Sequence, residues 1–169
     1  MLSRLTPKHY AESVFQVDVK LLQAKQIQGL IIDIDNTLVE WDKKYASDAV
    51  KAWLQKLQEI GFSICLVSNN TEDRVVVFNE ALKLPAIHRA RKPRRDPFRK
   101  AMKIMGTTPE TTAVIGDQLF TDVLGGNRLG LFTVLVVPLE GREFWWTTLV
   151  RKVERHVLKA VLENYHSNK

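Results

Sequence analysis

The sequence predicts an α/β/α sandwich, in which helices cover both faces of a parallel β-sheet. Short apolar runs rich in isoleucine, valine and leucine alternate with segments whose apolar residues recur at helical spacing. This alternation is typical of parallel strands joined by helical crossovers, and continuous apolar runs are typical of strands buried on both faces. The length of 169 residues fits one domain that spans residues 1–169.

The first elements are predicted from residues 1–35. Residues 1–26 mix polar and apolar positions and are assigned to an N-terminal extension. Within it, Thr6 is typical of a helix N-cap and Pro7 of the first helical position, so we expect a helix to begin there. The isoleucine-rich run 29–35 predicts the first buried strand.

The next elements alternate as the fold class requires. Apolar residues recur at helical spacing over 46–60, and Gly61 follows as a C-terminal stop. The run 62–67 predicts the second buried strand. A helix is predicted over 75–84, because Pro85 disfavours helical backbone in the residue before it.

The rest of the sheet is predicted from residues 86–137. Three further runs predict strands at 86–90, 112–115 and 131–137. Between the first two, Asp96 and Pro97 predict an N-cap and a first-turn proline for a helix that ends at Gly106. A short helix over 122–129, closed by Gly130, is predicted before the last strand.

The C-terminal residues 141–169 are predicted to form one long helix. An apolar stripe along it is consistent with packing on the sheet, and its separate basic residues are consistent with contact to an anionic membrane surface. The aromatic stretch Phe144–Trp146 beside Arg142 is typical of an interfacial anchor and also of a core. Both alternatives stay open from the sequence.

Composition excludes several classes of protein. Hydrophobic residues are 45% and charged residues 26% of the chain, which argues against disorder. The single cysteine, Cys65, excludes an internal disulfide and a cysteine-rich metal site, and indicates a cytoplasmic protein in which it is a buried structural thiol. The longest apolar run, 131–139, is too short to cross a bilayer.

Carboxylates follow the predicted strands at the edge where parallel sheets bind ligands. Asp33 and Asp35 end the first strand and point to the same side, and their repulsion costs about 4 kcal/mol at ~4 Å and an effective dielectric constant of about 20. A divalent cation removes that cost. Asp117 and Asp122 follow a later strand, and oxygen ligands without nearby histidine or cysteine favour Mg²⁺ over zinc.

Four motifs in these positions resemble, in the same order, the motifs of the haloacid-dehalogenase (HAD) superfamily. The stretch 33–37, DIDNT, resembles the D-x-D-x-T motif I, Ser68 motif II, Lys92 motif III, and the stretch 116–122, GDQLFTD, motif IV. In that superfamily, the second aspartate of motif I is typical of phosphatases and phosphotransferases rather than of dehalogenases. The wider wording, including SVFQVD, IIDIDNTLVEWD and VSNN, is similar to the YqeG family of small phosphatases, which is related to mitochondrial phosphatidylglycerophosphate phosphatases.

The resemblance implies a Mg²⁺-dependent phosphatase with a Rossmann-like sheet. It implies that Asp33 is the nucleophile that forms an aspartyl-phosphate, and that Asp35 is the general acid and then the general base. Lys92 would neutralise charge on the nucleophile and the phosphoryl group. The implied ligands of the phosphoryl oxygens are Thr37, Ser68 and the amide of Asn69. The implied metal ligands are Asp33, Asp117, the backbone carbonyl of Asp35, and Asp122 in or just outside the coordination sphere.

The spacing of the motifs leaves no room for a cap domain over the site. A helix follows Thr37 closely, and residues 69–91 suffice for one helix and one strand. An open site favours a large substrate such as a lipid head group, a protein or a nucleic acid end.

Charge is concentrated beside the predicted lysine. Residues 1–84 carry 10 basic and 11 acidic side chains and residues 85–169 carry 15 and 8. Eight of the basic residues lie within 88–103, either as a solvated surface or as a docking rim for anions.

The sequence therefore predicts a cap-less Mg²⁺-dependent phosphomonoesterase. Its leading substrate is phosphatidylglycerophosphate or another anionic lipid phosphate. We expect a cytoplasmic protein that binds this substrate at the inner face of the membrane. The alternatives are a phosphatase of nucleic acid ends or phosphoproteins, and a non-catalytic nucleic-acid- or ribosome-binding protein. The complete set of acidic residues argues against the non-catalytic alternative. The oligomeric state is left open.

Overall fold

The computed structural model describes residues 2–139 and Lys159, and in this part of the chain six strands form one parallel sheet. The strands are β1 (His9–Ala11), β2 (Gly29–Ile32), β3 (Ser63–Val67), β4 (Ala86–Ile87), β5 (Thr112–Gly116) and β6 (Phe132–Val136). The α-helices are α1 (Val19–Ala24), α2 (Asp48–Ile60), α3 (Glu72–Asn79), α4 (Arg95–Met105) and α5 (Leu124–Asn127). The predicted α/β architecture is thereby confirmed.

The order of the strands fixes where a site can form. The sheet runs β1-β6-β5-β2-β3-β4, and Ile31 of β2 pairs with Cys65 of β3 on one side and Val114 of β5 on the other. From β2 the chain proceeds outward through β3 and β4, and α4 then returns it to β5 on the other side of β2. The carboxyl ends of β2 and β5 therefore border a topological switch point, where open α/β sheets bind ligands.

The sheet has a hydrophobic core on each face. Leu30 and Ile32 of β2 belong to the core that also contains the apolar residues of α1, α2 and α3. Ile31 and Cys65 point to the other face, where they pack in one cluster with Phe98 of α4. Cys65 is fully buried, which confirms the predicted burial of its thiol. Helices on both faces make the three layers that the alternation of elements predicts.

The prediction that a helix begins at Thr6 and Pro7 is wrong. The following residues instead form β1, which pairs with β6 at the edge of the sheet, with Tyr10 beside Leu135. The Lys8 N–H already donates to the Thr133 carbonyl at 2.9 Å. Strand pairing with a distant segment thus overrides the local N-cap signal. This strand lies within residues 1–26, so the predicted N-terminal extension contributes a strand to the sheet.

Other boundaries also differ from the predictions, and the helix predicted over 75–84 is α3, Glu72–Asn79. Arg94, not Asp96, is the N-cap of α4, and Asp96 lies in the first turn, where an acidic side chain interacts favourably with the helix dipole. The strand predicted over 86–90 ends at Ile87. The helix predicted over 122–129 is instead a π-helical turn, Leu119–Val123, that leads into α5.

The longest described helix follows its sequence signals closely. The Ser47 hydroxyl caps α2 by accepting the N–H of Val50 at 3.2 Å, and Gly61 ends the helix with a φ of 112°, a left-handed conformation that suits glycine. None of the helices in the described part of the chain has the length and apolar character needed to span a bilayer. Apart from Lys159, the residues of the predicted C-terminal helix, 141–169, lie outside the described part of the chain, and so does Phe144–Trp146.

Candidate active site

A polar cleft of about 260 Å³ lies at the carboxyl ends of β2, β3 and β5. A larger groove lies at the opposite end of the sheet, beside Lys8 and Gly130, away from the predicted motifs. Within the described residues, α3 and β4 are the elements between β3 and Lys92, and no inserted domain covers the cleft. The residues that line the cleft are Asp33, Asp35, Asn36, Trp41, Ser68, Asn69, Asn70, Lys92 and Gln118.

Three buried carboxylates meet at this cleft. Asp33 follows β2, Asp117 follows β5, and Asp122 lies in the π-helical turn after β5. One carboxylate oxygen from each lies within 4.8 Å of the others, and the three residues are at most 6% exposed. The topology thus joins residues that are far apart in sequence into a single all-oxygen donor set.

Lys92 is buried among these carboxylates. Its ammonium nitrogen donates to Asp33 Oδ1 at 2.7 Å and to Asp122 Oδ1 at 2.6 Å. Burial by itself lowers the pKa of Lys92, but Asp122 and Asp33 outweigh burial and hold the pKa above its ordinary value. Lys92 is therefore a permanent positive charge beside Asp33.

The carboxylates outnumber the cations of the cluster. Burial raises the pKa of Asp33 to about 7, a rise that Lys92 opposes and Asp122 reinforces. When all three carboxylates are ionised, they carry two more negative charges than the one Lys92 ammonium balances. That surplus, held by oxygen ligands alone, fits a divalent cation such as Mg²⁺.

A tight turn after β2 places Thr37. The N–H groups of Thr37 and Leu38 donate to the Ile34 carbonyl at 3.2 and 2.9 Å, and Asn36 adopts a left-handed conformation with a φ of 60°. The turn directs the Thr37 hydroxyl to Asp117, where it donates to Oδ1 at 3.1 Å. Motif I and motif IV are thereby linked by a direct hydrogen bond.

Ser68 and Asn69 follow β3, and their side chains make hydrogen bonds to different residues. The Ser68 hydroxyl accepts the N–H of Asn70 at 3.0 Å and faces Asp35 Oδ2 at 3.5 Å. The side-chain amide of Asn69 accepts the Lys92 N–H at 2.7 Å and donates to the Lys92 carbonyl at 3.3 Å. The Asn69 side chain therefore fixes the backbone that carries the buried lysine.

Asp35 is not part of the cluster of three carboxylates and has hydrogen-bond donors of its own. Arg74 donates to Asp35 Oδ1 through Nε at 3.0 Å and through Nη2 at 2.8 Å. The Asn70 side chain donates to Asp35 Oδ2 at 3.3 Å. The sequence predicts that a cation relieves the repulsion between Asp33 and Asp35. In the structure, an arginine contributes that relief at Asp35.

The cleft depends on Arg74 and Asn70, to which the sequence motifs give no role, and on the space beside Gly116 of motif IV. Arg74 and Asn70 contact Asp35, and Gly116 leaves room for Asp122, because a Cβ at Gly116 would collide with the Asp122 carboxyl. A glycine directly before an aspartate at a strand end was a visible signal. Nothing in the sequence pairs Arg74 with Asp35, since 39 residues separate them.

Comparisons with known proteins agree with this arrangement. Residues 30–88 match the family described as "haloacid dehalogenase-like hydrolase" and residues 89–138 match a family described as HAD-hydrolase-like. Among solved structures, a cobalt-bound deoxy-D-mannose-octulosonate 8-phosphate phosphatase from Haemophilus influenzae covers 66% of this chain and 69% of its own, with a TM-score of 0.56 and 17% identity. A HAD superfamily (subfamily III A) hydrolase from Legionella pneumophila covers 68% of each chain, with a TM-score of 0.52 and 22% identity. Both similarities concern the fold.

Similarity in sequence is more specific. "Phosphatidylglycerophosphate phosphatase 1, chloroplastic/mitochondrial" of Arabidopsis thaliana is 26% identical over 86% of this chain, which spans 45% of that protein. "Probable phosphatase YqeG" of Bacillus subtilis (strain 168) is 41% identical over 95% of this chain and 93% of its own length. With that identity over nearly the whole of both chains, this chain belongs to the YqeG family of HAD-type phosphatases.

Proposed function

We propose that this phosphatase hydrolyses phosphomonoesters through a covalent aspartyl-phosphate on Asp33. The observation that carries the proposal is the buried carboxylate of Asp33 at the centre of the cleft, with the Lys92 ammonium 2.7 Å from its Oδ1. A carboxylate held beside a fixed positive charge can approach an anionic phosphoryl group at a lower electrostatic cost.

In the first step, an Asp33 oxygen forms a bond to phosphorus while the bond between phosphorus and the leaving-group oxygen breaks. The protonated carboxyl of Asp35 gives its proton to that oxygen, so the product leaves as a neutral alcohol. Lys92 stabilises the negative charge that moves onto the phosphoryl oxygens. Asp35 is left as a carboxylate.

In the second step, the Asp35 carboxylate takes a proton from a water molecule. The water oxygen bonds to phosphorus and the bond between phosphorus and the Asp33 oxygen breaks, which releases inorganic phosphate and restores both side chains. Division of the hydrolysis into two displacements is the usual benefit of covalent catalysis. One residue then serves as acid and base in turn.

The remaining site residues would hold the phosphoryl group and a cation. Thr37, Ser68 and the backbone amide of Asn69 are assigned to the phosphoryl oxygens, with the Thr37 and Ser68 hydroxyls released from Asp117 and Asp35 when substrate binds. Mg²⁺ would be held by Asp33, Asp117 and the backbone carbonyl of Asp35, with Asp122 in or next to its coordination sphere. When bound, it would supply positive charge that screens the phosphoryl oxygens from these carboxylates.

We further propose an anionic lipid phosphate, with phosphatidylglycerophosphate first, as the substrate at the cytoplasmic face of a membrane. The named activity of the Arabidopsis relative supports this substrate. The open cleft admits a head group that stays attached to a bilayer. The basic rim, which we define as residues 88–103, begins in the segment that carries Lys92 and includes exposed arginines at 89, 91, 94 and 95.

The experiment is a phosphate-release screen with Mg²⁺ on purified protein. Phosphatidylglycerophosphate in vesicles, phosphatidic acid, terminally phosphorylated oligonucleotides, a phosphopeptide and p-nitrophenyl phosphate are compared, with Asp33→Asn as the blank. A kcat/KM for phosphatidylglycerophosphate at least tenfold above the others supports the lipid assignment. A preference for oligonucleotides or the phosphopeptide overturns it and keeps the mechanism, whereas activity retained by Asp33→Asn overturns the mechanism.

A further inference from the structure

The guanidinium of Arg74 makes three hydrogen bonds at the mouth of the cleft. Its Nε and Nη2 both donate to Asp35 Oδ1, at 3.0 and 2.8 Å, and its Nη1 donates to the Lys44 carbonyl at 3.2 Å. The Arg74 and Asp35 side chains are only 14% and 15% exposed. A guanidinium is a rigid planar fork, so three bonds to fixed partners define its position and that of the carboxylate it holds.

The other oxygen of Asp35 is held less firmly. Asn70 donates to Oδ2 at 3.3 Å, and the Ser68 hydroxyl lies 3.5 Å from it, a distance at the limit of a hydrogen bond. The strong contacts therefore fall on Oδ1 and the weak contacts on Oδ2. This asymmetry leaves Oδ2 as the oxygen that can exchange its partners for a substrate.

Arg74 also connects two elements around the cleft. It lies in the first turn of α3, while Asp35 and Lys44 belong to the segment between β2 and α2. That segment carries Trp41, which lines the cleft. The same side chain thus holds a candidate catalytic carboxylate and the backbone of the loop at its entrance.

We propose that Arg74 is a positioning residue that holds Asp35 through Oδ1, so that Oδ2 faces the leaving-group oxygen of the substrate. This inference rests on the proposed role of Asp35 as the general acid. Arg74 would not contact the phosphoryl group itself. Its removal should impair proton donation to the leaving group and leave attack by Asp33 intact.

The test compares two substrates with different needs for proton donation. An alkyl phosphate such as glycerol phosphate requires an acid to protonate its leaving oxygen, whereas 2,4-dinitrophenyl phosphate releases a stable anion without one. We expect Arg74→Ala to lower kcat/KM for the alkyl ester roughly 10–100-fold, the usual cost of a misplaced catalytic group. The value for the dinitrophenyl ester should change less than about threefold.

Four further variants make the result specific. Arg74→Lys keeps the charge without the fork and should give an intermediate loss. Asp35→Asn should show the same dependence on leaving group, and adding Arg74→Ala to it should cause little further loss, because both substitutions act on one step. Lys51→Ala, which removes a cation from the surface ion pair with Asp48, is the matched control and should leave both substrates unaffected. Thermal unfolding of each variant identifies any that fail to fold.

The outcomes separate this inference from the proposed function. Suppose that Asp35→Asn lowers kcat/KM more for the alkyl ester than for the dinitrophenyl ester. If Arg74→Ala then lowers kcat/KM equally for both esters, or raises only KM, Arg74 binds substrate or supports the fold, and the inference is wrong. If Arg74→Ala does not fold, Arg74→Lys decides the question by the same comparison. If Asp35→Asn itself shows no dependence on leaving group, the acid role of Asp35 is wrong and the inference fails with it.

Discussion

The Asp33 carboxylate is buried against Lys92, so asparagine at this position changes charge and nucleophilicity with little change in shape. We expect Asp33→Asn to lower kcat by about 10⁴-fold or more, as expected when a nucleophile is removed, while the carbonyl of the amide still accepts the lysine hydrogen bond. Phosphate release from p-nitrophenyl phosphate measures the activity, and thermal unfolding measures the fold. Substantial turnover by a variant free of contaminating phosphatase would contradict the covalent mechanism.

Cys65 is buried in β3, one strand in from the edge of the sheet, and burial raises the pKa of its thiol from 9.0 to about 11. The unfolded chain therefore loses this proton at a lower pH than the folded chain. As the pH rises from 9 to 11, the free energy of unfolding should fall through this group. The free energy of unfolding is measured at each pH for the parent and for Cys65→Ala. The difference, parent minus variant, should decrease from pH 9 to pH 11. A constant difference would contradict this prediction.

At the scale of elements, the end of β5 is shaped by the absence of a side chain at Gly116. A Cβ there would collide with the Asp122 carboxyl, so Gly116→Ala should displace Asp122 from Lys92. We expect kcat/KM to fall roughly 10–100-fold, in line with the sensitivity of catalysis to small displacements. Steady-state kinetics, measured on the folded fraction, checks this expectation.

Gly125 offers the matched control for that substitution. A Cβ at Gly125 would collide with the ring of Phe98, which belongs to the core between α4 and the sheet. Gly125→Ala should therefore lower the melting temperature and leave kcat/KM of the folded protein near that of the parent. If both variants lose activity in proportion to their stability, Gly116 has no special role at the cleft.

The elements of the core could be predicted because their signals are local. β2, β3, β5 and β6 are continuous apolar runs, and α2 carries its own cap and stop. β1 could not be predicted, since its three residues are stabilised by pairing with β6 more than a hundred residues later. The start of α4 was misplaced because Pro97 is tolerated within the first turn, where its missing N–H has no partner in any case.

The same division applies to the candidate site. Asp33, Lys92 and Asp122 could be expected to meet, because the carboxyl ends of parallel strands share one edge of the sheet and the motifs mark them. The pairing of Arg74 with Asp35 and the clearance beside Gly116 depend on distances in three dimensions. Charge and spacing along the chain do not determine such distances.

Across the whole molecule, a cation at the carboxylate cluster would link the end of β2, which carries Asp33, to the segment after β5, which carries Asp117 and Asp122. Binding to the folded state alone stabilises it by about 2.7 kcal/mol at a ligand concentration 100 times the Kd. We therefore expect Mg²⁺ to raise the melting temperature and a chelator to abolish activity. Asp117→Ala should lose the thermal shift and, without metal, unfold close to the parent because one buried like charge is gone.

An exposed carboxylate provides the control for this measurement. Glu80→Ala removes a negative charge from the end of α3 and should keep both the Mg²⁺-dependent shift and the activity. Full activity after exhaustive chelation would contradict the metal assignment. An equal thermal shift in Asp117→Ala would place the cation elsewhere.

The basic rim makes a prediction about membranes. Attraction of a basic residue to an anionic bilayer is worth about 1 kcal/mol, so four engaged side chains would enrich the protein roughly 10³-fold at low salt. We expect sedimentation with anionic vesicles and not with zwitterionic ones, and release by salt. Reversal of Arg94, Arg95 and Arg99 to glutamate should remove this binding and lower turnover of vesicle-bound lipid phosphate, with much less effect on p-nitrophenyl phosphate.

Charge reversal away from the rim separates docking from overall charge. Lys20, Lys51 and Lys56 lie on α1 and α2, and their reversal changes the net charge by the same amount. This variant should still bind anionic vesicles more tightly than the rim variant. If the rim variant loses turnover equally on lipid phosphate and on p-nitrophenyl phosphate, those arginines serve the catalytic site or the fold.

The shortness of the outer strands bears on self-association. β1 has three residues and β4 has two, so each edge of the described sheet offers few backbone groups on which another chain could add a strand. Short edge strands are one way in which proteins resist aggregation. The five-residue strands β6 and β3 lie directly inside β1 and β4, which pair with part of their outer backbone. Loss of an edge strand, rather than contact between native molecules, is therefore the event that would expose this chain to strand-mediated aggregation.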